Sequence, residues 1–578
     1  MNDKKQNTTK WLPGTILIYF LATLIIPNVI LAITERLSLW GAATCIILPL
    51  GIYVLFSSFF RNGGRTIWFL FPLTFLAAFQ IVLLYLYGRS VIAVDMFLNL
   101  TTTNSSEAAE LLGNLRPAVL LVIFLYVPTL IGATWMIATH RLVSTKLLSK
   151  MRHIGLTTTI AGIVTLSVSY LSGPYSILTD LYPVNVFYNI GLAVDRTIKT
   201  DRYYESSRGY KFQATASGNP DVREIVVLVI GETSRAENWQ LYGYNRETNP
   251  RLSQTDSVLI GRHTLSESNT THKSVPMLLS PVDATCYDSI YHVKSVVTAF
   301  KEAGYSTAFF SNQRYNGSFI DFFANEADTT LFIKETDNPA MANAGDQALL
   351  DYVKATIAGN NHKQLIVLHT YGSHFNYNER YDSIDRHFMP DHYPDASVEY
   401  RDNLINAYDN TIVATDRFLA SLIEILSDSD ADASMLYTSD HGEDIYDDSR
   451  HLFLHASPLP TIHQITVPML AWLSPGFIRH HPDAYNIMKS NMEKEISSSR
   501  SFFHTALSLG GIQTPVADPS ASLLSPDYAP RRNPLYLNDH NRPVDCRSIT
   551  HTTPEYCVTK HIFQQKNVNS VALSGKNI

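Results

Sequence analysis

The sequence predicts two unlike parts in one chain: an N-terminal five-helix transmembrane domain, and a soluble α/β/α domain with a mostly parallel central sheet. Three observations predict this. Five uncharged apolar runs crowd into the first 175 residues, strand and helix patterns alternate through the remainder, and charge divides between the two parts. The first 200 residues hold 14 Lys and Arg against 7 Asp and Glu, a net of +7. The whole chain has 45 basic and 52 acidic residues, so the other 378 hold 31 and 45, a net of −14. Of 20 histidines only His140 and His153 fall in the first 200 residues. This division speaks against a purely soluble enzyme. It implies no large basic surface and so speaks against nucleic acid as a partner. An acidic, histidine-rich region fits cation binding.

The apolar runs are Trp11–Ile33, Leu39–Phe60, Thr66–Gly88, Pro117–Thr139 and Ile154–Gly173, each free of Asp, Glu, Lys and Arg. About 20 such residues cross a bilayer core. The fifth run is rich in Thr, Ser and Gly. The first is longer than a signal peptide and lacks a small-residue cleavage pattern, so it reads as an anchor. Basic loop residues set the orientation. Nine of them (Lys4, Lys5, Lys10, Arg61, Arg65, Arg141, Lys146, Lys150 and Arg152) fall on one side, against Arg36, Arg89 and Arg116 on the other. The nine-residue side is expected to be cytoplasmic, which puts everything after Gly173 outside the cytoplasm. The expected divisions are a transmembrane domain over 1–175, an interfacial helix and linker over 176–219, and a catalytic domain over 220–578. Tyr182–Lys199 has the mixed pattern of an amphipathic surface helix, and Ser206–Asn219 reads as a linker. The outer loop Arg89–Arg116 carries a helix-forming stretch, Phe97–Leu112, which by its residues is a surface loop. Cys546 and Cys557 are candidates for a disulfide outside the cytoplasm.

In the soluble part, Glu224–Ile230 is a continuous β-branched run of the kind buried in parallel sheets. Ser306–Phe310, Gln364–His369 and Ser434–Tyr437 are similar, with helical patterns at Ile290–Ala303 and Asn403–Ser427 between them. Ligands of such sheets gather beyond the carboxyl ends of the strands. The first strand runs into Glu232. The strand at Gln364 runs into His369 and then His374. The strand at Ser434 runs into Asp440 and His441, with His455 a short way on. Carboxylate and imidazole ligands converging on one sheet edge suit zinc or manganese. A lone strand-end Asp or His is more often a cap; three such ends outweigh that reading. The segment Ser268–Pro276 offers hydroxyls at a helix start, where a metal lowers a hydroxyl's pKa and helix N–H groups hold a phosphoryl oxygen. By residue type alone Thr270, Thr271 and Ser274 are equivalent candidates. No Cys-x-Pro-x-Arg stretch of a sulfatase nucleophile is present.

These motifs resemble the membrane phosphoethanolamine transferases, which modify lipid A and other lipopolysaccharide components. The specific stretch is Gly231–Leu252 (GETSRAENWQLYGYNRETNPRL), supported by Val367–His374 (VLHTYGSH), Tyr408–Thr411 (YDNT) and Ser439–Glu443 (SDHGE). The resemblance implies five spans followed by an alkaline-phosphatase/sulfatase-like domain. It implies Glu232, Asp440 and His441 as ligands of one or two Zn2+, and Thr271, five residues before Pro276, as nucleophile and further ligand. It puts His374, His455 and His369 at the substrate or a second metal, and Asn104 and Glu107 on a loop for the donor lipid. Two departures stand out. The family's cysteines around the nucleophile correspond to Glu267 and Met277, and the segment Asp444–Leu454 differs in length.

The implied reaction takes phosphoethanolamine from phosphatidylethanolamine through a Thr271-linked intermediate to lipid A or core. It would be catalysed by a monomer embedded in a bacterial inner membrane, with its catalytic domain in the periplasm. The alternatives are a glycerol-phosphate transferase of the lipoteichoic-acid-synthase type, a membrane-anchored phosphatase of the same fold, and a non-catalytic sensor.

Overall fold

The computed structural model describes residues 2–35, 37–88, 90–102, 115–217, 221–359, 361–448 and 451–550. It has two compact units: Met1–Thr197 with Asp448–Leu452, and Ile198–Asp447 with the residues from Phe453 onward.

In the first unit four helices are long and apolar enough to cross a membrane: Trp11–Thr34, Leu39–Ser57, Arg116–Ala138 and Thr145–Ser172. The expected third span is instead a pair, Gly63–Phe69 and Phe71–Tyr87, bent by 58°, which makes a fifth if it counts as one span. Pro72 stands in the first turn of its second member; proline lacks the N–H that would continue the preceding helix. The Thr, Ser and Gly content of the last span has a packing cause. A Cβ on Gly155 would lie 2.5 Å from Leu55 N, and one on Gly162 would lie 2.6 Å from Leu48 Cα. The backbones of Thr145–Ser172 and Leu39–Ser57 therefore meet directly, as small residues permit in membranes, and Thr44 and Ser169 share a 3.2 Å hydroxyl contact. A helix, Val184–Asp201, covers most of the stretch read as amphipathic, and in it Arg196 pairs with Asp95 at 3.1 Å. Asn104 and Glu107 lie outside the described residues, as does Cys557, while Cys546 is buried.

The second unit is built on seven strands: β1 (Glu224–Gly231), β2 (Val258–Ile260), β3 (Ser306–Ser311), β4 (Thr329–Phe332), β5 (Lys363–His369), β6 (Asp432–Ser439) and β7 (Met469–Leu473), in the spatial order β2-β7-β6-β1-β5-β3-β4. β1 lies centrally, parallel to β5 and β6, and β3 runs parallel to β5 and β4. β7 is antiparallel to both β6 and β2, so the sheet is mixed at one side. Alternation along β1 feeds two cores. Val226, Leu228 and Ile230 pack with Phe502 and Phe503 of the helix Ser498–Leu509. Ile225, Val227 and Val229 pack with Leu404 and Tyr408 of the helix Arg401–Ser427. This is the expected α/β/α layering.

Two local expectations change. The helix expected from Ile290 begins at Val296, because Ser295 caps it and is held by Glu326, which accepts from both its N–H and its hydroxyl. The stretch read as a linker is docked: Phe212 is buried, Glu302 accepts from the N–H groups of Phe212 and Ala214, and Thr215–Ala216 pairs with Ile512–Gln513.

Candidate active site

β1 and β6 are adjacent, parallel and in register, with Gly231 opposite Ser439. The strands therefore end level, and the next residues, Glu232 from one and Asp440 and His441 from the other, emerge side by side. All three are buried. Thr233 comes next, in the left-handed region at φ 59°, a conformation a β-branched residue adopts only under constraint. The turn reaches both carboxylates. It aims Thr233 N–H at Asp440 Oδ1, 3.0 Å away, and Thr233 Oγ1 at Glu232 Oε1, 2.9 Å away.

Thr271 opens the helix Thr271–Leu279. Its Oγ1 lies 3.0 Å from Glu232 Oε1 and 3.1 Å from His441 Nε2. The other hydroxyls of the segment turn elsewhere: Thr270 Oγ1 contacts Ser268 Oγ at 3.1 Å, and Ser274 Oγ donates to Thr270 O at 3.0 Å. The tertiary structure thus separates three residues that residue type alone left equivalent.

Glu232, Asp440 and His441 each present one ligand atom within 4.8 Å of the others. Burial raises the carboxyl groups of both Glu232 and Asp440, and their proximity raises Glu232 further. Burial, followed by the neighbouring His455, holds His441 well below its usual value, so the imidazole is neutral. Its Nδ1 bonds Gly442 O at 2.9 Å, which leaves the Nε2 lone pair facing the carboxylates. Asp440 Oδ2 is buried with no hydrogen-bond partner among the described residues. Two repelling buried carboxylates, a neutral imidazole and an orphaned oxygen fit a divalent cation such as zinc. A second group, Glu237, Asp447 and His463, also has ligand spacing, but there Arg235 supplies the positive charge, 3.2 Å from Glu237 and 2.7 Å from Asp447.

His455 stands next to this cluster, its ring centroid 4.2 Å from that of His441. A two-residue pairing of Asp444–Ile445 with Phe453–Leu454 brings it there. Leu454 and Ala456, on either side of it, are both left-handed at φ 67° and 61°. His374 lies further out, 6.1 Å from His455 between centroids and stacked on Tyr371. Burial lowers its pKa first, then the nearby Arg380 and His455. His369 is placed differently: it is buried at the end of β5, with Nδ1 3.1 Å from Ser311 Oγ.

Three partners were not legible as site residues. Gln313 Nε2 donates to Glu232 Oε2 at 2.9 Å. Thr233 links both carboxylates, and Glu443 lies 3.4 Å from His455 Nδ1 and accepts from Tyr377. Gln313 lies just past the end of β3, a strand-tip position that is itself the available signal.

Phosphoethanolamine transferase EptA of Escherichia coli (strain K12) is 30% identical over 304 residues, 51% of this chain and 55% of that protein. The chain thus spans about half the length of that curated relative. The integral membrane protein lipooligosaccharide phosphoethanolamine transferase A (EptA) from Neisseria meningitidis shares the fold at 21% identity, with a TM-score of 0.70 over 88% of this chain and 98% of that one. The C-terminal periplasmic domain of EcEptC from Escherichia coli, solved in complex with Zn, is 25% identical over 57% of this chain and 94% of that one, with a TM-score of 0.52. The family described as Sulfatase matches residues 224–512. That match takes in half of the 578 residues, both strand tips and the Thr271 segment included, and the chain belongs to the sulfatase family.

Proposed function

We propose that this protein transfers phosphoethanolamine from phosphatidylethanolamine to a lipopolysaccharide component, lipid A or core, through a phosphoethanolamine–Thr271 intermediate. The reading places it in a bacterial inner membrane with the sulfatase-like unit in the periplasm. The observation that carries it is the Thr271 hydroxyl held 3.0 Å from Glu232 and 3.1 Å from His441 at a helix start. The names of the similar proteins support the group transferred.

Glu232, Asp440, His441 and Thr271 would hold one zinc ion, and His374 and His455 a second or the substrate. Bound zinc supplies positive charge that lowers the pKa of a hydroxyl and neutralises a phosphoryl oxygen. The chain does the positioning. Glu232 Oε1 accepts from the Thr271 hydroxyl at 3.0 Å, so the oxygen can bond phosphorus as its proton passes to that carboxylate, while His441 Nε2 is kept for the metal. The bond from phosphorus to the diacylglycerol oxygen breaks, and that oxygen takes a proton, which His455 beside Glu443 would supply. In the second half an acceptor oxygen bonds phosphorus, any proton it carries passing to His455, and the Thr271 Oγ–phosphorus bond breaks as that oxygen takes back the proton held on Glu232. Orientation and charge stabilisation carry most such phosphoryl transfers.

The test uses the full-length protein in detergent with labelled phosphatidylethanolamine or phosphatidylglycerol and a lipopolysaccharide acceptor. Mass spectrometry should show one phosphoethanolamine unit gained on a defined acceptor fragment, and the donor headgroup trapped on Thr271. Transfer at the wild-type rate by Thr271→Ala, or a headgroup taken only from phosphatidylglycerol, would overturn the reading.

A further inference from the structure

His455 reaches the carboxylate cluster on a strained backbone. The residues on either side of it, Leu454 at φ 67° and Ala456 at φ 61°, both carry a Cβ in the left-handed region. Such residues stay there only where their surroundings over-determine the conformation. The loop leaves the His455 ring centroid 4.2 Å from that of His441 and 6.1 Å from that of His374. What holds this loop therefore also holds the imidazole at the site.

Two side-chain amides supply the restraint. Gln464, fully buried in the short helix Ile462–Ile465, donates from Nε2 to Asp444 Oδ2 at 2.6 Å and to Leu454 O at 3.2 Å. Its Oε1 accepts from Asn269 Nδ2 at 2.6 Å and from Ser457 Oγ at 3.0 Å. Asn269 Nδ2 also donates to Ser457 O at 2.8 Å, and Asn269 O accepts from Ala456 N at 3.2 Å. Asp444 is fixed in turn by Thr461 Oγ1, which donates to its Oδ1 at 2.7 Å. Asn269, Asp444, Ser457, Thr461 and Gln464 are all buried, and a paired buried network of this kind rigidifies what it joins. The backbone groups around His455 are thus taken by Asn269 and Gln464. Asn269 stands two residues before Thr271, so the network ties the His455 loop directly to the nucleophile segment. The main chain of Gln464 holds the ligand loop as well, accepting from Gly442 N at 2.9 Å, a bond that side-chain substitution leaves in place.

We propose that Asn269 and Gln464 are positioning residues for the transfer, docking the His455 loop on the Thr271 segment and so fixing His455 against the reacting groups. The proposal rests on the transferase reading above, which gives His455 its role. Neither amide acts on phosphorus; both act through His455.

The test compares full-length wild type with Asn269→Ala, Gln464→Met, His455→Gln and the double variant Asn269→Ala/His455→Gln. Release of the loop should lower kcat about tenfold or more in either amide variant, while KM for phosphatidylethanolamine stays within about twofold and metal content is kept. Gln464→Met strands the Asp444 carboxylate and lowers stability. Asn269→Ala leaves Gln464 Oε1 paired with Ser457, and it decides the result where Gln464→Met does not fold. Adding Asn269→Ala to His455→Gln should cost less than about twofold more, because no imidazole is left to place. Full additivity, an unchanged kcat, or a rise in KM with kcat intact overturns the proposal. A second measurement needs no turnover and so stands apart from the transferase reading. Diethyl pyrocarbonate should modify His455 about tenfold faster in Asn269→Ala than in wild type, and His374 within about twofold of wild type, as read by peptide mass spectrometry. Faster modification of both histidines, or of neither, overturns the docking even if transfer is confirmed. A selective rise at His455 upholds the docking even if nothing is taken from phosphatidylethanolamine.

Discussion

Thr271 Oγ1 lies 3.1 Å from His441 Nε2, while the other nitrogen of that imidazole bonds the carbonyl of Gly442 at 2.9 Å. The backbone contact selects the tautomer, and the tautomer makes Nε2 a lone-pair donor beside the hydroxyl. The nucleophile candidate and the metal-ligand candidates are therefore one constellation, and each can be removed separately.

Thr271→Ala should lower transfer by about 10³-fold or more and keep its metal. Thr271→Ser should retain measurable transfer. Asp440→Asn should lose metal first. Parallel measurement of transfer and of metal content by mass spectrometry separates the three; equal metal loss in Thr271→Ala and Asp440→Asn would show that the hydroxyl is mainly a ligand.

Gln313→Leu removes the only side-chain amide bonded to Glu232 among the described residues. Outer partners of ligands are worth about 10–100-fold in metal affinity. Competition with a chelator should reveal a loss of that size, with an unfolding temperature close to wild type. A variant that unfolds early but binds metal normally would mark Gln313 as structural.

Glu267 occupies a position where the resembled family has a cysteine, and it is fully buried. It accepts from Ala284 N at 2.8 Å and pairs with Arg531 at 3.2 Å; Arg531 also pairs with Asp283. An ion pair ties the segment before Thr271 where the family would use a covalent bridge. Arg531→Met strands a buried carboxylate and should cost roughly 3–5 kcal/mol. Adding Glu267→Gln should recover much of it, as read from thermal unfolding in detergent. Additive losses in the double variant would refute the pairing.

Glu237, whose Oε1 lies 2.5 Å away, and Asp447 raise His463 from 6.5 to about 9 despite its burial. A raised histidine binds its proton more tightly in the folded state. Its contribution is therefore complete below pH 6.5 and is lost as pH rises through about 9. Wild type should lose stability across that window, and His463→Gln should show a flatter profile. Parallel profiles would assign the slope to other groups.

Much of the architecture was legible because it is written in local patterns. Uncharged runs mark apolar spans, and β1 needs burial on both faces. The strand tips named Glu232, Asp440 and His441 because parallel strands all point their carboxyl ends, and the residues just past them, to one edge of the sheet. The features that failed to appear were short or non-local. β2, β4 and β7 are three to five residues long, too short for a period to register. β7 runs antiparallel because of its pairing, which no single strand encodes.

By itself, the sequence determined the apolar spans, the alternating α/β part and the strand-end carboxylates and imidazoles, since these arise from hydropathy, period and residue type. Only the tertiary structure decided which hydroxyl meets them. Thr270, Thr271 and Ser274 are alike in chemistry, and the side-by-side ends of β1 and β6, with the helix beginning at Thr271, bring one of the three within 3.1 Å of both Glu232 and His441. It likewise held His369 against Ser311 while drawing His455 to His441. Chain connectivity sets which residues a segment contains, but distances across a sheet edge arise only when separate strands are in register.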